Sequence, residues 1–259
     1  MNERIREYIY SHKDELLSVL GELVAIPSVK GEPAENAPFG REPRRALDRM
    51  LEICGDMGFS TSCCRNAVGT AELSAGGETA LGILCHLDVV PAEARNWHSD
   101  PFCITEHDGV LYGRGVIDDK GPAVASLFAM KCIKDLGIPL KKGVKLIFGT
   151  DEENGSEDLE MYRSCEELPT AVFTPDGSFP IINIEKGMMR SRFSGRINGR
   201  GSVVSLSGGS IPNAVPDSAE AVLDGISAAE AEAAVSADNS GAVFTVESEK
   251  NLVRISCRG

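Results

Sequence analysis

The chain has 259 residues, 42% of them hydrophobic and 25% charged, which indicates one or two globular domains and excludes a disordered or fibrous protein. Its 39 acidic residues against 26 basic ones give a net charge of −13, which argues against nucleic acid or an anionic membrane as a partner. Metal cations are the partners that such an acidic protein accommodates best.

The eight cysteines include no C-x-x-C pair and no regular spacing of the kind that a disulfide framework shows, so we expect free, mostly buried thiols. The N-terminal segment lacks the apolar core of a signal peptide, and no apolar run approaches the ~20 residues that span a bilayer. Together these observations predict a protein of the reducing cytoplasm.

Helices and strands alternate in the first 186 residues. Apolar residues at helical spacing predict the helices, and short apolar runs predict the strands. In chain order the predicted elements are a helix over 3–25, a helix over 42–57, strands over 61–64, 70–73 and 80–85, a helix over 118–136, a strand over 144–149, a helix over 157–167 and a strand over 171–174. This alternation is typical of an α/β fold with a mainly parallel sheet covered by helices.

The pattern changes after Gly187, where alternating residues lead to the hairpin signal Asn198-Gly199. The elements predicted in this part are strands over 242–246 and 252–256 and a helix over 228–235, and the alternation covers 188–197. We therefore expect two domains, one over 1–186 and the beginning of a more open α+β domain over 187–259.

Acidic and imidazole side chains directly follow three of the predicted strands, and further acidic residues begin the helix over 118–136. In chain order they are His86, Asp88, Asp118, Asp119, Asp151, Glu152, Glu153 and Asp176. Because ligands bind at the carboxyl ends of the strands in an open parallel sheet, we expect these side chains to converge on one edge.

One imidazole with several carboxylates is a ligand set that suits Zn²⁺, Mn²⁺ or Co²⁺. Carboxylates at the ends of apolar strands need compensating charge, and no Lys or Arg cluster lies beside them in sequence, so a cation is the simplest partner. A carboxylate shared by two such ions would give a two-metal site about 3.5–4 Å wide. The residues alone leave an alternative open, in which His86 is a hydrogen-bonded structural residue and the acidic pairs are solvated.

Four motifs occur here in a characteristic order and spacing. They are His86-Leu87-Asp88, the segment 113–121, the segment 150–156 and Pro175-Asp176. In this combination they resemble the co-catalytic zinc aminoacylase and carboxypeptidase superfamily, which includes carnosinase, acetylornithine deacetylase and succinyl-diaminopimelate desuccinylase. Within it, the segments 118–122, 179–187 and 213–217 are most similar to PepV-type dipeptidases.

The resemblance implies a role for each matching residue. It implies two Zn²⁺ held by His86, Asp118, Glu153 and Asp176, with Mn²⁺ or Co²⁺ as possible substitutes and Asp118 as the bridging ligand. It further implies that Asp88 orients His86, that Glu152 is the general base for a metal-activated water, and that Asn213 contacts the substrate. The peptide bond between Asp118 and Asp119 should be cis.

The function that the resemblance implies is hydrolysis of dipeptides or short unblocked peptides, by a catalytic domain over 1–186 and a lid domain that begins at 187. One alternative is an N-acyl amino-acid amidohydrolase with the same metal core. The superfamily has a further metal-binding His after the lid, and this sequence has no His beyond His107. We therefore expect the N-terminal part of a longer enzyme, and the other alternative is a non-catalytic fragment.

Overall fold

The computed structural model describes residues 2–259 except positions 94, 96, 185, 188, 190, 192–201 and 210–214. The chain forms two compact units, Met1–Glu185 and Lys186–Gly259. The alternating segment 188–197 and the hairpin signal Asn198-Gly199 lie largely outside the described residues. Among the helices that the structure does describe, none combines the length and apolar character needed to cross a membrane.

The N-terminal amphipathic pattern forms two helices, α1 (Asn2–Ser11) and α2 (Lys13–Val24), where the sequence predicts one. His12 separates them. Its ring stacks on that of Tyr8, and its Nδ1 lies 2.8 Å from the Tyr8 carbonyl oxygen. A side chain that bonds to the preceding turn competes with the regular helix, which explains the break. Only α2 has buried residues, so it alone packs into the core.

Three further α-helices and seven strands follow in the described part of the first unit. They are α3 (Arg41–Asp56), α4 (Lys120–Asp135), α5 (Glu157–Arg163), β1 (Ser60–Cys64), β2 (Val68–Leu73), β3 (Thr79–His86), β4 (Thr105–His107), β5 (Val110–Tyr112), β6 (Gly143–Gly149) and β7 (Ala171–Phe173). The short β4 and β5 form a separate hairpin that the sequence did not predict, because each has only three residues and neither is fully buried.

The main sheet has five strands in the order β1-β2-β6-β3-β7. Strand β3 is parallel to both of its neighbours, whereas β2 is antiparallel to both of its own. The α/β fold class is confirmed, but the sheet is mixed where a mainly parallel one was predicted. Three residues join β1 to β2, too few for the crossover that a parallel pair requires.

The core of the first unit lies between this sheet and helices α2, α3 and α4. Leu23, Met50, Leu127 and Phe128 from the helices and Leu146 from β6 are almost completely buried in it. Because β3 and β6 are held in the middle of the sheet by this packing, their C-terminal ends are fixed side by side, with His86 paired to Gly149.

Gly121 near the start of α4 has no room for a side chain, since an added Cβ would lie 1.9 Å from the Val116 carbonyl oxygen. We expect Gly121→Ala to lower the free energy of unfolding by about 1–3 kcal/mol, because a backbone atom cannot easily move aside. Gly21 in α2 is the matched control, since an added Cβ there meets nothing within 4 Å. Gly21→Ala should be stabilising by about 0.5–1 kcal/mol in the same denaturant titration, and equal effects of the two substitutions would contradict this account.

The described part of the second unit forms a four-stranded antiparallel sheet with one helix. Its elements are β8 (Ser202–Gly208), β9 (Ser218–Asp224), α6 (Ala228–Ser236), β10 (Val243–Glu249) and β11 (Leu252–Arg258), and the strand order is β10-β11-β9-β8. Ser227 and Glu230 form a capping box at the start of α6, and Ala231 of the helix and Val253 of β11 are buried. Strand β9 was not predicted because Ala and Glu have low strand propensity.

The cysteines differ from the prediction in two respects: two of them are paired, and two of the free ones, Cys63 and Cys103, are exposed. Cys64 at the end of β1 and Cys165 after α5 form a disulfide, so the expectation of free thiols is wrong for these two. They lie 101 residues apart in sequence, and only the fold brings their Cα atoms to 6.3 Å. Cys54, Cys85 and Cys132 are free and buried, as expected. Because disulfides persist mainly in oxidising compartments, this bond does not favour the predicted cytoplasm.

Candidate metal centre

The ends of β3, β6 and β7 carry the candidate site. The backbone N–H of Leu87, directly after β3, donates to the carbonyl of Gly149, the last residue of β6, at 2.9 Å. His86 therefore lies beside the segment 150–153, and Asp176 follows the parallel neighbour β7. The fourth contribution comes from Asp118 at the start of α4, whose peptide bond to Asp119 is cis, as the resemblance implied.

Three ligand-type side chains meet at this edge. His86 Nε2 lies 3.0 Å from Asp118 Oδ1 and 3.4 Å from Asp176 Oδ2, and all three ligand atoms lie within 4.8 Å of one another. Nε2 is buried and forms no hydrogen bond with any described residue. A buried nitrogen without a hydrogen bond that faces two carboxylates fits a metal ligand better than a structural histidine.

His86 is oriented by Asp88, but through the backbone. Its Nδ1 lies 2.9 Å from the Asp88 carbonyl oxygen and 3.5 Å from the Asp88 carboxylate. Because a carbonyl can only accept, Nδ1 carries the proton and Nε2 is directed at the carboxylates. Burial lowers the pKa of His86, but Asp118 and Asp88 outweigh it and raise the pKa to about 11. These carboxylates therefore favour positive charge at Nε2, whether a proton or a metal ion supplies it.

The Asp88 carboxylate has a different set of partners. It is completely buried and accepts hydrogen bonds from the backbone N–H groups of Glu152 and Glu153, both at 3.1 Å. Asp119, also buried, accepts from the backbone N–H of His86 at 3.0 Å. The carboxylates of Asp88 and Asp119 thus bind the backbone of three residues whose side chains belong to the candidate site. Sequence reasoning gave Asp119 no separate role, and its only signal was its place beside Asp118.

Lys120, next to Asp119, links the start of α4 to the end of α2. It is fully buried, and its Nζ donates to the carbonyl oxygens of Leu23 at 2.8 Å and Ile26 at 2.7 Å, at the C-terminal end of α2. Burial lowers its pKa to about 7. Sequence reasoning missed this contact, because no local pattern shows that a lysine in the 113–121 motif anchors another helix.

The remaining carboxylates make the site strongly acidic. Glu152 Oε2 lies 4.0 Å from His86 Nε2, and burial raises the pKa of Glu152 above its ordinary value. Burial, and then the negative charge of Asp118, raise the pKa of Glu153 to about 7 and raise that of Asp176 as well. Carboxylates that destabilise one another's charge in this way are what a divalent cation would neutralise.

The structure thus brings His86, Asp118 and Asp176 together and places Glu152 at their margin. Glu153 is held next to Asp88 by its backbone, while its carboxylate lies outside the three-residue group. The predicted substrate residue Asn213 lies outside the described residues.

Comparison with known proteins gives related sequences over most of the chain. A family model described as peptidase family M20/M25/M40 matches residues 82–254. A Bacillus subtilis (strain 168) protein named "Putative dipeptidase YtjP" is 39% identical over 220 residues, which cover 82% of this chain and 47% of that protein. A Staphylococcus aureus (strain USA300) protein with the same dipeptidase description is 40% identical over 71% of this chain and 39% of its own length. The chain therefore spans about half the length, or less, of these curated relatives.

Two crystal structures are similar to parts of the chain. Human carnosine dipeptidase 1 matches with a TM-score of 0.57 at 28% identity, over 68% of this chain and 41% of that one. An M20 family metallo-carboxypeptidase from Sulfolobus solfataricus matches with a TM-score of 0.52 at 26% identity, over 63% of this chain and 37% of that one. The family model covers more than half of the chain, and the four motifs lie at the edge of the sheet that carries the site. The chain therefore belongs to peptidase family M20/M25/M40, which confirms the resemblance to zinc peptidases.

Proposed function

We propose that the protein is a dipeptidase that uses two Zn²⁺ to hydrolyse dipeptides or short unblocked peptides. The observation that carries the proposal is the buried Nε2 of His86, which lies within 3.4 Å of the carboxylates of Asp118 and Asp176 without a hydrogen bond. The relatives that are named dipeptidases support the choice of substrate.

His86, Asp118, Glu153 and Asp176 are the residues that would hold the two ions, and Mn²⁺ or Co²⁺ would also suit them. Asp118 is the bridging ligand in this proposal. Its carboxylate lies 3.0 Å from His86 Nε2, and its negative charge raises the pKa of Glu153. Bound there, the ions would supply Lewis acidity and a water that is nucleophilic near neutral pH.

Glu152 is the general base. Its side chain is about half exposed and reaches to 4.0 Å from His86 Nε2, so it can meet both a substrate and the attacking water. Its raised pKa brings the carboxylate closer to the pH at which it must take and return a proton. Glu152 accepts the proton of the water and then passes it to the amine that leaves.

The two units have separate tasks in this proposal. Residues 1–186 supply the metal ligands and the base, and residues 187–259 begin a lid domain in which Asn213 contacts the substrate. The partner is a small peptide. The cytoplasm is the proposed location, where the Cys64–Cys165 pair would be kept reduced.

The test is hydrolysis by the full-length protein of Ala-containing dipeptides against N-acetyl and N-succinyl amino acids. We expect cleavage of the dipeptides alone, loss of activity on treatment with a chelator, and recovery when Zn²⁺ is returned. Cleavage of the acylated amino acids alone would make the protein an amidohydrolase. If neither class is cleaved and no metal is bound, the proposed function is wrong.

A further inference from the structure

Two buried carboxylates hold four successive backbone N–H groups in the segment that carries Glu152 and Glu153. Asp88 accepts from the two glutamates, as described above. Asp158 on α5 accepts from the two residues before them, with its Oδ2 2.6 Å from the Thr150 nitrogen and 3.2 Å from the Asp151 nitrogen. Every backbone N–H group from Thr150 to Glu153 is therefore bound by one of two carboxylates.

Asp158 is itself held in place. It is 1% exposed, and its Oδ1 accepts from the backbone N–H of Leu159 at 2.8 Å. Gly149 permits its close approach to the segment, since an added Cβ at that position would lie 2.6 Å from Asp158 Oδ2. The contact between Asp158 and the backbone of residues 150 and 151 therefore requires both the carboxylate and the absence of a side chain at Gly149.

A reciprocal contact joins the same two elements. Asp151 Oδ2 accepts from the backbone N–H of Glu157 at 3.2 Å, so each element donates to a carboxylate of the other. Asp151 is also fully buried, and Lys30 Nζ lies 2.7 Å from its Oδ1. A buried carboxylate is costly unless it is well bonded, and here Asp158 accepts three backbone N–H groups.

We propose that Asp158 is a positioning residue for the hydrolysis, which acts through the backbone of Thr150 and Asp151 on the placement of Glu152 and Glu153. This inference rests on the proposed function, in which adjacent glutamates have different tasks and must both be held to within about 0.5 Å. Asp88 binds the backbone N–H groups of the two glutamates. Asp158 binds those of Thr150 and Asp151, the two residues directly before them.

The test uses the full-length protein with Zn²⁺ and the variant Asp158→Ala. We expect kcat to fall by about 10–100-fold, as is usual when a partner behind a metal site is removed, and one Zn²⁺ to bind more weakly. KM should change little, because Asp158 does not touch the substrate. Asp158→Asn keeps one acceptor oxygen, which can still accept from Thr150 and Asp151, but its amide nitrogen cannot accept from Leu159, so it should restore part of kcat. Glu160→Ala is the matched control, since it removes an exposed acid from the same helix and should change neither quantity.

A second measurement does not depend on the proposed function. Backbone amide exchange of residues 150–153 should become faster in Asp158→Ala, while that of β3 stays unchanged. If the parent protein proves to lack peptidase activity, the proposed function fails, and this exchange still decides whether Asp158 positions the segment. Where the alanine variant does not fold, the same measurements on Asp158→Glu, which moves the carboxylate by one methylene, replace it.

Two results would overturn the inference. One is a folded variant with the exchange, Zn²⁺ affinity and kcat of the parent. The other is faster exchange throughout the first unit without recovery in Asp158→Asn, which would make Asp158 a stabilising residue only.

Discussion

Glu152→Ala should reduce the kcat for dipeptides by about 10²–10⁴-fold and leave the metal content unchanged, because the variant loses the group that takes the proton from water. In the parent protein the Glu152 carboxylate lies 4.0 Å from His86 Nε2, farther away than the carboxylates of Asp118 and Asp176. Glu152 is not part of the three-residue ligand group. Steady-state kinetics and metal analysis of the same preparation measure the two effects.

The control for this variant is Glu160→Ala, which also removes an exposed glutamate from the first unit. It should retain the activity and the metal of the parent. Loss of both metal and turnover in Glu152→Ala would reassign Glu152 as a ligand, and ordinary turnover would remove it from the mechanism.

The convergence of the site could be predicted from sequence because it depends on one rule of topology. His86 ends one strand of the sheet, Asp151 and Asp176 follow two others, and parallel neighbours bring such positions to one edge. That rule needs only β3 and its two parallel neighbours. The predicted convergence of the site residues therefore did not depend on the direction of β1 and β2.

Features that depend on long-range packing could not be predicted. The disulfide joins residues 101 positions apart, and Asp158 meets Thr150 only because α5 folds back on the end of β6. The sequence likewise could not show that Asp88 uses its carbonyl for His86 and its carboxylate for the two glutamates. Each of these contacts is set by backbone direction, which residue types do not reveal.

The largest loss of metal is expected for His86→Ala. The side chain is 4% exposed, and its Nε2 is the nitrogen that the carboxylates of Asp118 and Asp176 surround. Without His86, the remaining carboxylates still raise one another's pKa, and no imidazole is left to bind the cation with them. We expect Zn²⁺ affinity at this position to fall by more than the roughly 10–100-fold that loss of an outer partner costs. Turnover should be lost with it, in contrast to Glu152→Ala, where metal stays.

His107→Ala is the matched control, because it removes an imidazole whose side chain is 79% exposed, at the end of the separate hairpin strand β4. It should keep the metal content of the parent in equilibrium dialysis against Zn²⁺. If His86→Ala also keeps two ions with the parent's affinity, then His86 is a structural histidine and the ions are held by carboxylates alone. If it loses one ion and keeps the other, the retained ion is the one that the proposal assigns to Glu153, because neither Glu153 nor the bridging Asp118 is removed by the substitution.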